Sequence, residues 1–160
     1  VRHAVLSAPG LPLAAQKMDG VVIVRDRRLT ANFEGGHLPV GDGDGFTITE
    51  ATLRIPETGP GAKARISASV EGDLGAVVKL ADELKIEAAD DFDVAPTDVT
   101  GTVSAGVKMT TPLGRGVTMD QRSWSIDAQL RDAGSTVPIG GQLISRANLE
   151  VLLNARRVAA

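Results

Sequence analysis

The sequence predicts a mainly β fold, a curved antiparallel sheet forming an open groove or half-barrel with one short α-helix, and three observations carry that prediction. First, residues 99–110 alternate strictly, with Val99, Val103, Ala105, Val107 and Met109 at odd positions and Thr100, Thr102, Ser104, Lys108 and Thr110 at even ones. A period of two puts alternate side chains on opposite faces, the signature of a strand with one face against something apolar and the other in water. Second, the same rhythm recurs until roughly seven amphipathic strands are counted. Third, a single stretch, residues 73–84, follows helical spacing instead, through Leu74, Val77, Val78, Ala81 and Leu84.

Composition bounds what such a fold can do. At 160 residues the chain is long enough for one domain spanning residues 1–160. A net charge of -3 argues against a phosphate-binding surface, and three Phe, one Trp and no Tyr leave few platforms on which bases or sugars could stack. Nucleic acid is therefore not an expected partner. The absence of Cys removes disulfides, thiolate zinc sites and cysteine nucleophiles together. No run approaches the ~18 to 20 apolar residues needed to span a bilayer. The chain starts at Val1 without an initiator Met or a signal-type apolar run, which reads as a piece of something longer.

Taken in order, residues 1–19, with Pro9, Gly10 and Pro12, show no sustained period and are expected to be a loosely ordered lead-in that could pair at an edge. Val21 to Val24 and Leu29 to Phe33 flank a polar turn at Asp26, Arg27 and Arg28, a hairpin pattern. A Gly/Asp-rich connection from Gly35 to Gly45 leads to the next strand, Phe46 to Ile55. There the apolar residues are Phe46 and Ile48, then Ala51, Leu53 and Ile55, so the phase slips by one at Glu50. A slip reverses the faces unless one extra residue is absorbed, so a β-bulge is expected there. After the loop 56–61, Ala62, Ala64, Ile66, Ala68 and Val70 alternate with Lys63, Arg65, Ser67 and Ser69. Asp73 then stands where an N-cap would start a helix of about three turns. Acidic residues through Asp93 lead to Pro96 and the strand 99–110, whose Gly101 and Gly106 suggest a bend or a close approach to the backbone. Past Pro112 and Gly116, Trp124, Ile126, Ala128 and Leu130 share one phase, Gly134 to Gly141 reads as a loop, and Leu143, Ala147, Leu149, Val151 and Leu153 share the last.

These patterns leave one sheet face that needs a cover. Two such faces packed about 10 Å apart would make a closed β-sandwich, acting as a structural or protein-interaction module. The faces here, however, are built from Ala, Val, Ile, Leu and Met, without the aromatic mass that dominates most sandwich cores. The other solution is a curved sheet whose aliphatic face stays partly open, with the helix over one portion. Such a face in a soluble protein marks a binding surface for something apolar.

A strand ending at Val70, then Glu71, Gly72, Asp73 and Leu74, a helix carrying Leu80, Ala81 and Asp82, the run from Val94 through Pro96 to Val103, Pro112 with Leu113, and a strand ending at Ala133 form a recognisable succession. From about Gly20 to Leu153 it resembles the repeated segment of bacterial AsmA-like proteins, the YhdP and TamB kind. The resemblance implies a periplasmic segment of a long protein, anchored in the inner membrane through parts outside this stretch, that takes part in lipid transport or outer-membrane assembly. It implies a tall curved sheet whose aliphatic trough shelters phospholipid or other lipid tails, with neighbouring segments of the same chain as further partners. The lining it designates is Ile66, Ala68, Val70, Val103, Ala105, Val107, Met109, Trp124, Ile126, Ala128 and Leu130, flanked by Ala64, Leu149 and Val151. A dozen methylenes at ~0.8 kcal/mol each make pulling a tail into water cost on the order of 10 kcal/mol, so the trough must be continuous and free of unpaired charge.

The remaining motifs support no chemistry. Asp42, Gly43, Asp44 and Gly45 look like the middle of a calcium loop, but placing Gly45 at position six puts Val40 and Ala51 where carboxylates are needed. A Gly/Asp turn is the expectation. His3 and His37 are too far apart to form a local ligand pair. Arg25, Asp26, Arg27 and Arg28 could attract lipid phosphate, although a charged hairpin turn is the commoner meaning. No Gly-x-Ser-x-Gly or phosphate-cradling motif is found. No enzyme activity and no cofactor is expected; a glycosidase or other hydrolase would need two carboxylates converging in a polar cleft.

Overall fold

The computed structural model describes residues 2, 4–7, 14–83, 94–114, 117–118, 121–139 and 141–155. They form β1 (Ala4–Ser7), β2 (Ala14–Arg25), β3 (Arg28–Glu34), β4 (His37–Val40), β5 (Gly43–Ile55), β6 (Lys63–Asp73), α1 (Leu74–Glu83), β7 (Val99–Pro112), β8 (Ser123–Ser135) and β9 (Ala147–Ala155). One antiparallel sheet holds every strand, in the order β1-β2-β3-β5-β6-β7-β8-β9, while β4 lies in the column of β3 and pairs with both β2 and β5. The expected mainly β, curved antiparallel sheet with one short helix is therefore the fold. Among the described residues its strands number nine where the alternation suggested about seven. His3, Pro9, Gly10, Pro12, Leu84, the acidic residues through Asp93 and Gly116 lie outside the described residues.

The hairpin between β2 and β3 turns on Asp26 and Arg27, both at positive φ (48° and 63°), the two-residue geometry that matches strand twist. The Arg27 guanidinium donates to the Thr58 carbonyl (2.6 Å) and ties this turn to the β5–β6 loop. The phase slip in β5 is a bulge: Ile48 faces Val70 and Glu50 faces Ser69, so Thr49 is the extra residue. Phe46, Ile48 and Ala51 are consequently all buried on one side.

That bulge is one of a line. Across the sheet from Thr49, Gly35 and Gly36 interrupt the column of β3 and β4, with the Gly35 amide bonded to the Thr49 carbonyl and the Ile48 amide to the Gly36 carbonyl. In β2, Lys17 adopts φ 55° where the β1 pairing changes register. The irregularities bend three adjacent columns together and seat Met18, fully buried, on the inside. A second line crosses the far half. In β8, Asp132 (φ 50°) is the extra residue against both β7 and β9, its amide held by the Asn148 side chain (3.1 Å). Gly101 faces it at φ 118°, and a Cβ there would meet the Arg131 carbonyl at 2.8 Å. The expectation of a close approach at Gly101 thus has a physical cause, whereas at Gly106 the only atom within 4.0 Å of an added Cβ would be the Asp127 carbonyl oxygen.

Within residues 1–19, residues 4–7 form β1, which pairs at the sheet's edge, and residues 14–19 form half of β2. Similarly, β8 runs to Ser135 into the stretch read as loop. The last strand begins at Ala147, leaving Leu143 exposed before it.

Candidate apolar binding face

Antiparallel register arranges the predicted lining in four straight rows across the strands. The first runs Leu53, Ile66, Met109, Trp124; the second Ala51, Ala68, Val107, Ile126, Leu153. The third runs Ile48, Val70, Ala105, Ala128, Val151, and the fourth Phe46, Gly72, Val103, Leu130, Leu149. All eleven lining residues therefore share one face, and no charged residue interrupts any row. Gly72 fits the pattern because the Phe46 ring lies across it; a Cβ there would come within 2.6 Å of the ring.

The rows differ in cover. Over the third and fourth, α1 folds down, and Val40 of β4, Phe46, Val103 and Ala128 form a buried cluster with Ala76, Val77 and Leu80 of the helix packed against it. Val70, Ala105, Ile126 and Leu130 border this cluster. The helix is held at its start by Pro96, whose carbonyl would lie 2.7 Å from a Cβ on Gly75. A second cluster, of Met18, Ala31, Phe33, Ile48 and Ala51, lies under the bent columns, and Ala68 packs at its border.

At the other end Ile66, Val107, Met109 and Trp124 are half-buried, standing beyond both clusters. Among the described residues the only sheet is the one they belong to, and two residues from Ile66 and Trp124 along the chain Ala64 (3% exposed) and Arg122 (4%) are buried. Of the eleven, Val103 (5% exposed) and Ala128 (8%) are buried, while the other nine keep partial exposure. The apolar face also runs out to open edges, where Leu149 and Leu153 on β9 and Val22 and Val24 on β2 are exposed.

The opposite face holds what the sequence reading missed. A concavity of about 850 Å³ is lined by Arg54, Arg65, Ser67, Lys108, Thr110 and Ser125 of that face, with Leu152 and Asn154 at its β9 side, and Ile66, Met109 and Trp124 of the first row also line it. Arg54 and Arg65 are direct cross-strand partners, a like-charge pair that is destabilising in itself. The signal was in the sequence as the polar phase of two alternating strands, but their adjacency exists only once β5 and β6 pair. A twisted sheet is saddle-shaped, so a hollow on this face coexists with the helix-filled hollow of the other.

Asp42 lies in the tight turn of the β4–β5 hairpin and Gly43 begins β5, while His37 pairs with Thr47. Among the described residues no group of three or more His, Asp or Glu side chains comes together, and no helix is long and apolar enough to cross a membrane. Set against known proteins, the chain matches no family model, no curated protein and no solved structure.

Proposed function

We propose that this chain is a segment of an AsmA-like envelope protein, on the periplasmic side of an inner-membrane anchor, and that its uncharged face shelters lipid acyl chains without covalent chemistry. The observation that supports the reading is the partly exposed end of the apolar face, where Ile66, Val107, Met109 and Trp124 offer an apolar surface over which no second sheet lies among the described residues. Removing that surface from water is favourable at ~25 cal/mol per Å², and a methylene chain fits it because the Trp124 indole N–H is the one side-chain group along the rows that calls for a hydrogen-bonding partner. The other reading, a closed sandwich serving as an interaction module, requires a second sheet over the same rows, and the described residues form one sheet.

Native mass spectrometry of the purified chain tests the proposal, with phospholipid adducts as the expected result. Val107→Asp is the informative variant, because Val107 stands beyond the buried clusters, whereas Ala105 borders one and its replacement would threaten the fold. Loss of adducts with an unchanged circular dichroism spectrum is expected. A wild-type chain that carries no lipid after exposure to phospholipid vesicles, or a variant that carries as much, overturns the reading.

A further inference from the structure

The open side of β9 has an unusual sequence. From Ala147 the strand reads Ala, Asn, Leu, Glu, Val, Leu, Leu, Asn, Ala, which is the same in both directions about Val151 except at one mirrored pair, Glu150 and Leu152. Antiparallel pairing of a strand with its own copy sets residue i against a mirrored residue j, so a palindrome is what makes an edge self-complementary. Among the described residues β9 pairs with β8 alone, which leaves every second amide and carbonyl along its other side facing outward. Leu149 (46%), Leu152 (68%) and Leu153 (49%) are exposed, and Leu152 breaks the alternation by standing on the otherwise polar face with Asn148, Glu150 and Asn154.

We propose that two copies of this chain associate through β9, antiparallel about a two-fold axis at Val151, to make one continuous sheet. In that register Leu149 of each copy faces Leu153 of the other on the apolar face, and Asn148 faces Asn154 on the polar face, an amide pair able to exchange hydrogen bonds. Leu152 faces Glu150 of the mate, and the two Leu152 side chains approach diagonally across the axis, which gives the misplaced leucine a partner. The apolar rows then run from one copy into the next through Val151. The inference stands apart from the lipid reading, since it rests on the strand edge rather than on the face.

Sedimentation equilibrium of the 160-residue chain up to about 100 μM is the test, because a single strand pair is a small interface of micromolar strength. A monomer–dimer equilibrium is expected. Leu152→Glu sets two carboxylates against each other on both sides of the axis and should raise the dissociation constant roughly a hundredfold. Leu152→Lys places an ammonium opposite Glu150 of the mate and should leave dimerisation within about threefold of the original. Position 152 is exposed, so neither change should disturb the monomer's fold, which circular dichroism checks. A wild type that stays monomeric overturns the proposal. Equal weakening by both variants also overturns it, since a merely greasy contact has no register. So does growth beyond the dimer, the outcome of β9 joining the outer side of β2 at residues 21–25 head to tail.

Discussion

The two ends of the apolar face are made by the same four central strands from the same residue types, yet one is a core and the other a surface. At the end beneath α1, Val103 and Ala128 are buried, whereas four to six residues away along the same strands Val107, Met109 and Trp124 are half-exposed. The contrast teaches that alternation in a strand specifies a face and nothing more. Whether the face becomes core depends on what the connections lay across it, here a ten-residue helix.

Four experiments would break or sharpen this contrast. Deletion of Thr49 should have the largest effect, because without the bulge either Phe46 and Ile48 or Ala51 and Leu53 must turn to the polar side. Exposing two large core residues costs about as much as a whole domain's stability, so loss of the cooperative thermal transition is expected. A deletion variant that melted like the parent would show that the bulge does not set the face. Phe46→Ala, at the covered end, should destabilise by about 3 to 5 kcal/mol in urea denaturation, since the ring is buried among Val40, Val103 and Ala128. Gly101→Ala should cost about 1 to 3 kcal/mol, from a φ of 118° and the crowding of its Cβ against β8. Val107→Asp, at the open end, should change stability by less than about 1 kcal/mol. If it cost as much as Phe46→Ala, the two ends would be one core after all.

The same physics explains what could be read in advance. The Thr49 bulge was legible because apolar residues continue on both sides of the slip, so the phase change itself is visible. The equivalent bulge at Asp132 was not, because only Ala133, Gly134 and Ser135 follow it, and such small residues read as loop. β4 was hidden by Gly35, Gly36 and Pro39, which carry the signature of a connection although they fill the column of β3. The first half of β2 was hidden by the positive φ at Lys17, which puts Ala15 and Met18 three apart instead of two or four. Leu143 shares the parity of Leu149 and Val151 by chance. That the eleven residues share one face was recoverable from period two; which of them lie under the helix was not, since no local pattern records where α1 comes to rest.

Neighbouring strands in space are, with the exception of β4, neighbours along the chain, and α1 lies between β6 and β7. Such a meander behaves as a one-dimensional array, in which each strand's stability is borrowed from the one before and lent to the one after. Amide exchange should therefore slow progressively from either margin towards β6 and β7, and shaving a marginal strand should loosen its immediate neighbour while the middle stays protected.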